Sequence, residues 1–284
     1  MSSGIRMSPT ERWQRIAAAP DDEIDLAEAA LVIAAGEYRD LDIDAYLRRL
    51  DEMAVMLRRR LRPDISNSES IIALNRYLFG ELGFAGNTEE YYDPRNSFLN
   101  EVLDRKLGIP ITLSVVYIEV GRRIGLPLHG VAFPAHFLVK CALREGVMLL
   151  DPYAKGASLG LDDLRQRLET LRNGIELDPA MVRNMLAAAS KREILVRMLR
   201  NLKGIYLRQG GLGKALAAVD RIIALVPQAA DEYRDRGRNY LDLECFRAAL
   251  ADFQFYLLLK PEAEDAGEVQ HKVVELQQLA ARLN

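Results

Sequence analysis

The sequence predicts an α+β fold: a mostly helical domain with a small antiparallel sheet, then an array of helical repeats. Three observations predict it. The first hundred or so residues carry apolar side chains at helical spacing. The period then shortens to β-rich runs, Gly130 to Leu143 and Gly146 to Tyr153, which read as two strands of a hairpin. From about residue 186 the chain repeats itself at an offset of 34 residues. The expected first domain therefore spans residues 1–185, helical over residues 1–82 and with its core over residues 83–185. The repeats take residues 186–284.

The elements follow in order. Asp21-Asp22-Glu23 places acids at a helix start, with Ile24, Leu26, Ala27, Ala30, Leu31 and Ala34 on one face. A second helix runs from about Asp44 through Tyr46, Leu47, Leu50, Met53, Ala54 and Leu57, and Pro63 stops it. A third covers about Ser68 to Leu82, with Gly83 beyond its end. Gly83 to Phe98 is rich in Gly, Asn, Asp and Pro and reads as an ordered loop. Leu99 to Leu107 is a short helix. Pro110 suits the first position of the next helix, Ile111 to Ile124, with Leu113, Val116, Tyr117 and Val120 on one face. Helices return at about Leu161 to Asn173 and from Pro179, and a last helix runs from about Glu264 to Leu283.

The repeat has the tetratricopeptide period. It pairs Leu199 with Tyr233, Tyr206 with Tyr240, Ala215 with Ala249, Val219 with Phe253 and Pro227 with Pro261. Small alanines let paired helices approach, aromatics fill between them, and proline ends the second helix. The pairing is imperfect: Leu202 meets Arg236, and Gly210 meets Glu244. The stretch Gly210 to Ala215 looks like a phosphate loop only in its glycines. It lacks the Ser/Thr after Lys214 and follows a helix, so it reads as an inter-helix turn.

Composition removes several functions. The chain has 284 residues, 49% of them apolar, enough for a sizeable core. Lys and Arg number 38 against 41 Asp and Glu, a formal charge of −3, so nothing attracts nucleic acid or an anionic membrane globally. No apolar run approaches the ~18 residues of a membrane span, and the N-terminus has no continuous apolar stretch of a secretory signal. Cys141 and Cys245 read as reduced thiols. A cytoplasmic protein is expected. The three histidines, His129, His136 and His271, form no metal motif, and no cofactor is expected.

The residues that suggest chemistry are ordered along the core. The run NSFLNEVLDRKLGIPITLSVVYIEVGRRIGLP, with FPAHFLVK and LDPY, resembles the SirB family of bacterial proteins. These combine a transglutaminase-like, papain-related domain with tetratricopeptide repeats. The resemblance implies a helix that opens on Gly-x-Cys, a strand bearing a histidine and a strand bearing an aspartate. His136 and Asp151 match the last two. Gly108-Ile109-Pro110 matches the first, with Pro110 where the nucleophilic Cys would stand. Proline offers neither a nucleophile nor a backbone N–H. The resemblance therefore implies a degenerate site, and a regulatory role in bacteria.

Two readings follow. In one, the chain is a non-catalytic interaction protein that holds a protein or peptide through its repeats. In the other, Ser114, one turn beyond Pro110, is a nucleophile with His136 as base and Asp151 as orienter, acting on amide or ester bonds. The alternative for Ser114 is a packing residue, bonded to a carbonyl one turn back. Thr112 is a second hydroxyl on a different face. Asp93, Arg95, Asn96, Asn100 and Arg105 either line a ligand pocket or form a hydrogen-bonded scaffold. Tyr206 and Tyr240 are the binding candidates on the repeats.

Overall fold

A computed structural model describes residues 7–144, 146–172 and 184–282. The chain divides into two compact units, Met1–Met198 and Leu199–Asn284. The first begins with four helices: α1 (Pro9–Ala18), α2 (Leu26–Ala35), α3 (Ile43–Arg58) and α4 (Asn67–Asn75). Their starts are chemically explicit. Ser8 and Ser66 each form a capping box, with Glu11 and Glu69. Asp25 and Asp42 cap α2 and α3. The acidic run Asp21–Glu23 is a separate 3-10 turn, not the start of α2. Its Asp21 carboxylate is engaged elsewhere, accepting from the backbone N–H groups of Lys191 and Arg192 at 3.0 and 2.8 Å.

Helix α4 does not continue as α to Leu82. It passes into one π-helical segment, Arg76–Glu81. A short parallel pair, β1 (Ala85–Gly86) and β2 (Leu107–Gly108), brackets the loop and α5 (Leu99–Arg105). Then comes α6 (Pro110–Arg123), whose first twelve residues, Pro110 to Gly121, are all buried. Many are β-branched and poor helix formers. Burial supplies what propensity lacks, roughly 1.5–3 kcal/mol for each large apolar side chain. Arg122 and Arg123 close the helix where its dipole favours cations.

The sheet is a four-stranded antiparallel meander, β3 (Leu128–Val131), β4 (Leu138–Leu143), β5 (Gly146–Asp151) and β6 (Ala157–Leu159), in that order. This corrects the two-strand reading. The run Gly130 to Leu143 is broken by a turn, with Ala135 at φ 54° and His136 N–H donating to the Phe133 carbonyl at 3.0 Å. Pro134 cannot donate in a ladder, so the chain reverses there. His136 therefore sits on the turn before β4, not within a strand. Helix α7 (Leu161–Arg172) lays Leu164 and Leu168 against Val131, Phe133, Leu138 and Leu149. The helix expected from Pro179 begins outside the described residues.

Helix α8 (Lys191–Arg208) runs across the division between the units. The division thus falls inside a helix. The second unit continues with α9 (Leu212–Leu225), α10 (Ala230–Asp242), α11 (Phe246–Leu259) and α12 (Ala266–Arg282). Its core joins Tyr233, Ala249, Phe253, Tyr256, Val269 and Val273. Gly237 is small by necessity, because a Cβ there would lie 2.8 Å from the Phe253 ring. The mismatched repeat pair Gly210 and Glu244 proves equivalent in conformation, with φ of 71° and 56°. Both close the turn between paired helices.

Ion pairs thread this unit. The buried Glu232 accepts from Arg200 and Lys203, each at 2.7 Å. The buried Asp252 accepts two bonds from Arg236 at 2.7 Å, and Asp220 takes a third at 2.6 Å. Arg234 reaches Asp265 at 2.9 Å. Burial alone would push the Lys203 ammonium down, but Glu232 and Asp235 hold it above its ordinary value.

Phe253 is fully buried at the centre of this core. Phe253→Ala is expected to destabilise the repeat unit by about 3–5 kcal/mol, read as a shifted urea midpoint.

Candidate functional site

Asp151 ends β5 and is 1% exposed. Its Oδ1 lies 2.9 Å from His136 Nε2 and accepts from the backbone N–H groups of Tyr153 and Ala154 at 3.1 and 3.2 Å. Its Oδ2 accepts from Arg167 Nη2 at 2.9 Å. Burial alone would push this carboxyl up. The bonds and charges from His136 and Arg167 outweigh it and hold the carboxyl below its ordinary value. An ionised carboxylate only accepts, so His136 Nε2 carries the ring proton of this bond and Nδ1 is the nitrogen left over. The imidazole is partly exposed, with 18% of its side-chain surface open.

Helix α6 carries the other residues of the expected site. Pro110 stands at its first position. Ser114 is wholly buried, and its hydroxyl makes no hydrogen bond among the described residues, to His136 or to a carbonyl one turn back. The structure thus joins His136 to Asp151 and leaves Ser114 out of the pair. Thr112 has a structural task. Its hydroxyl donates to the Asn96 carbonyl at 2.7 Å and accepts from Ile109 N–H at 3.1 Å, which ties the loop to the helix start. Cys141 is buried within β4, where desolvation pushes its thiol up, and Cys245 is exposed in the second unit.

The loop candidates are turned inward. Asn96 is fully buried; its amide donates to the Glu90 and Tyr91 carbonyls at 2.7 and 3.3 Å and accepts from Asn87 at 3.1 Å. Arg105 also reaches it, at 3.4 Å. Asp93 caps the 3-10 turn Pro94–Ser97 and holds Arg95 through its Nε at 2.8 Å. Asn100 is buried, and among the described residues its Oδ1 has no hydrogen-bond partner. Of this set only Arg95 is substantially exposed. The repeat tyrosines are likewise packed: Tyr206 is buried, and Tyr240 is half-buried against the second core.

Sequence reasoning missed Arg167 and Tyr153. Tyr153 stands edge-on to His136, ring centroids 6.1 Å apart, and edge-on to Tyr91 at 6.4 Å. Gly86 makes room for it, since a Cβ there would fall 2.4 Å from the Tyr153 ring. Tyr91 and Tyr92 are exposed beside it. For Arg167 the available signal was its place between Leu164 and Leu168, but Arg165 and Arg172 on the same helix carry the same charge.

A histidine–aspartate pair beside a buried helix, joined to helical repeats, fits a transglutaminase-like domain with a tetratricopeptide scaffold. Comparison with known proteins agrees. The profile of the transglutaminase-like superfamily matches residues 44–200, and that of the tetratricopeptide repeat matches 202–273. A UPF0162 protein of Xylella fastidiosa is 40% identical over 264 residues, 93% of this chain and 94% of that protein. A UPF0162 protein of Pseudomonas aeruginosa is 34% identical over 252 residues, 88% and 90% of the two chains. The human F-box only protein 21 is 29% identical over 203 residues, 69% of this chain but 29% of that protein. No solved structure matches. The chain belongs to the transglutaminase-like superfamily and, within it, to the UPF0162 proteins, the SirB-like family. Among the described residues no helix is long and apolar enough to cross a membrane.

The Asp151 geometry sets a pH signature. A carboxyl depressed in the folded state adds stability that is complete above its unfolded value, about 3.9. That stability is lost as pH falls through the folded value. Asp151→Asn is expected to lower stability near neutrality and to flatten its fall below about pH 4, measured by urea unfolding across pH.

Proposed function

We propose that the chain is a non-catalytic, regulatory interaction protein of the bacterial cytoplasm. Its degenerate transglutaminase-like domain and its repeats serve as binding surfaces for a protein or peptide. The observation that carries this reading is Pro110 at the start of α6, where the family resemblance calls for a nucleophile. Proline also withholds the N–H that a helix start would offer an oxyanion. Arg167 adds support. It shares the Asp151 charge, so less of that charge remains to stabilise an imidazolium. Helical repeats of this period are built to present grooves to other chains.

A second reading keeps the enzyme: a hydrolase or acyltransferase on amide or ester bonds, with Ser114 as nucleophile, His136 as base and Asp151 as orienter. The 2.9 Å His136–Asp151 bond favours it. The buried Ser114 hydroxyl, unbonded to His136, weighs against it.

Intact-protein mass after serine- and cysteine-directed acylating probes separates the two. On the first reading the wild type, Ser114→Ala and His136→Ala give the same result, with no adduct that depends on His136. A single adduct lost in both variants would establish the second reading. A pull-down that enriches no partner with the repeat surface intact would count against the first.

A further inference from the structure

Asn75 ends α4 where the helix passes into its π-helical segment. It lies 81 residues before Gly156, yet its amide donates to the Gly156 carbonyl at 2.9 Å. On its other side Oδ1 accepts from the Tyr117 hydroxyl of α6 at 2.7 Å. Burial pushes the Tyr117 phenol up, so that hydroxyl keeps its proton at working pH. The Gly156 carbonyl can only accept, so it decides the amide's orientation: the NH2 faces Gly156, and Oδ1 is left to take the Tyr117 proton. Phe79, one turn beyond Asn75, stacks on the Tyr117 ring with 6.0 Å between centroids, and fixes the phenol laterally.

Position 156 takes no residue but glycine. Its φ is +76°, and a Cβ there would fall 2.1 Å from Asn75 Oδ1. Its own N–H donates to the Asp151 carbonyl at 2.8 Å. This closes the turn Pro152–Ala154, whose N–H groups hold Asp151 Oδ1. The same oxygen meets His136. A continuous set of bonds thus runs from Tyr117 through Asn75 and Gly156 to the carboxylate that aims the imidazole.

We propose that Asn75 is a positioning residue for the His136–Asp151 pair. Held by Tyr117, it fixes the turn after Asp151, and with it the oxygen that receives the His136 Nε2 proton. The inference rests on this pair being the working centre of the candidate site, whether that site binds or catalyses.

The test reads the ring itself. Nitrogen-15 histidine NMR on the full chain follows the His136 Nε2 proton and its exchange with water. Asn75→Asp keeps the shape but turns an acceptor toward the Gly156 carbonyl. It is expected to speed that exchange roughly tenfold, the effect of one lost bond of about 1.4 kcal/mol. Tyr117→Phe frees the amide and is expected to speed it by a smaller factor. Leu50→Ala, a core truncation in α3, is the control and should lower stability without moving the signal. If exchange in both brace variants stays at the wild-type rate while their melting temperatures fall, Asn75 is structural only and the inference is overturned. Should Asn75→Asp not fold, Tyr117→Phe decides alone. An adduct in the acylation experiment, or a missing partner, would change the function proposed for the site and leave this result standing.

Discussion

The first unit depends on one constraint: helix α6 must be kept from water on every side. A helix with one apolar stripe needs one neighbour. A helix buried from Pro110 to Gly121 needs a shell. Helices α2, α3 and α5, the β2 strand, the sheet and the turn after β5 all contact it. Close packing explains why Gly121 is small, since a Cβ there would lie 2.3 Å from Leu128. It also explains why polar groups on this helix have fixed partners. Thr112 anchors the loop and Tyr117 anchors Asn75. The Ser114 hydroxyl is sealed in with no hydrogen-bond partner among the described residues. Such an orphan costs about 1–3 kcal/mol, tolerable within so large an apolar contact.

The site is where that packed frame meets the sheet. Asp151 is held by four donors from three places: the turn of His136, its own following turn, and helix α7. The carboxylate is thus a structural junction as well as the partner of an imidazole. Removing Asp151 would therefore unfasten the end of the sheet whether or not chemistry occurs there.

Much of this was legible in the sequence, for identifiable reasons. Helix α6 showed itself through Pro110 and its apolar run, though the stripe Leu113, Val116, Tyr117 and Val120 understated burial on the remaining faces. Periodicity ranks faces and does not count neighbours. The repeats were legible because spacing survives substitution. Even the Gly210–Glu244 mismatch marks one shared conformation. The strands were misread where Pro134 was treated as lying inside a continuous run. The pairing of His136 with Asp151 came from resemblance and not from spacing. Arg167 and Asn75 were invisible, because each is bonded to a partner distant in sequence.

The ion pairs of the repeats carry a consequence for recognition. Arg200, Lys203, Arg234 and Arg236 are each matched with a carboxylate of the same unit. An acidic ligand arriving at these cations would meet no vacant charge. It would have to evict Glu232, Asp252 or Asp265, and the evicted acid would need rehydration. Such an exchange swaps one carboxylate for another and releases few counterions, so its strength would vary little with ionic strength. Recognition through these four cations would therefore require a competitor that offers shape as well as charge.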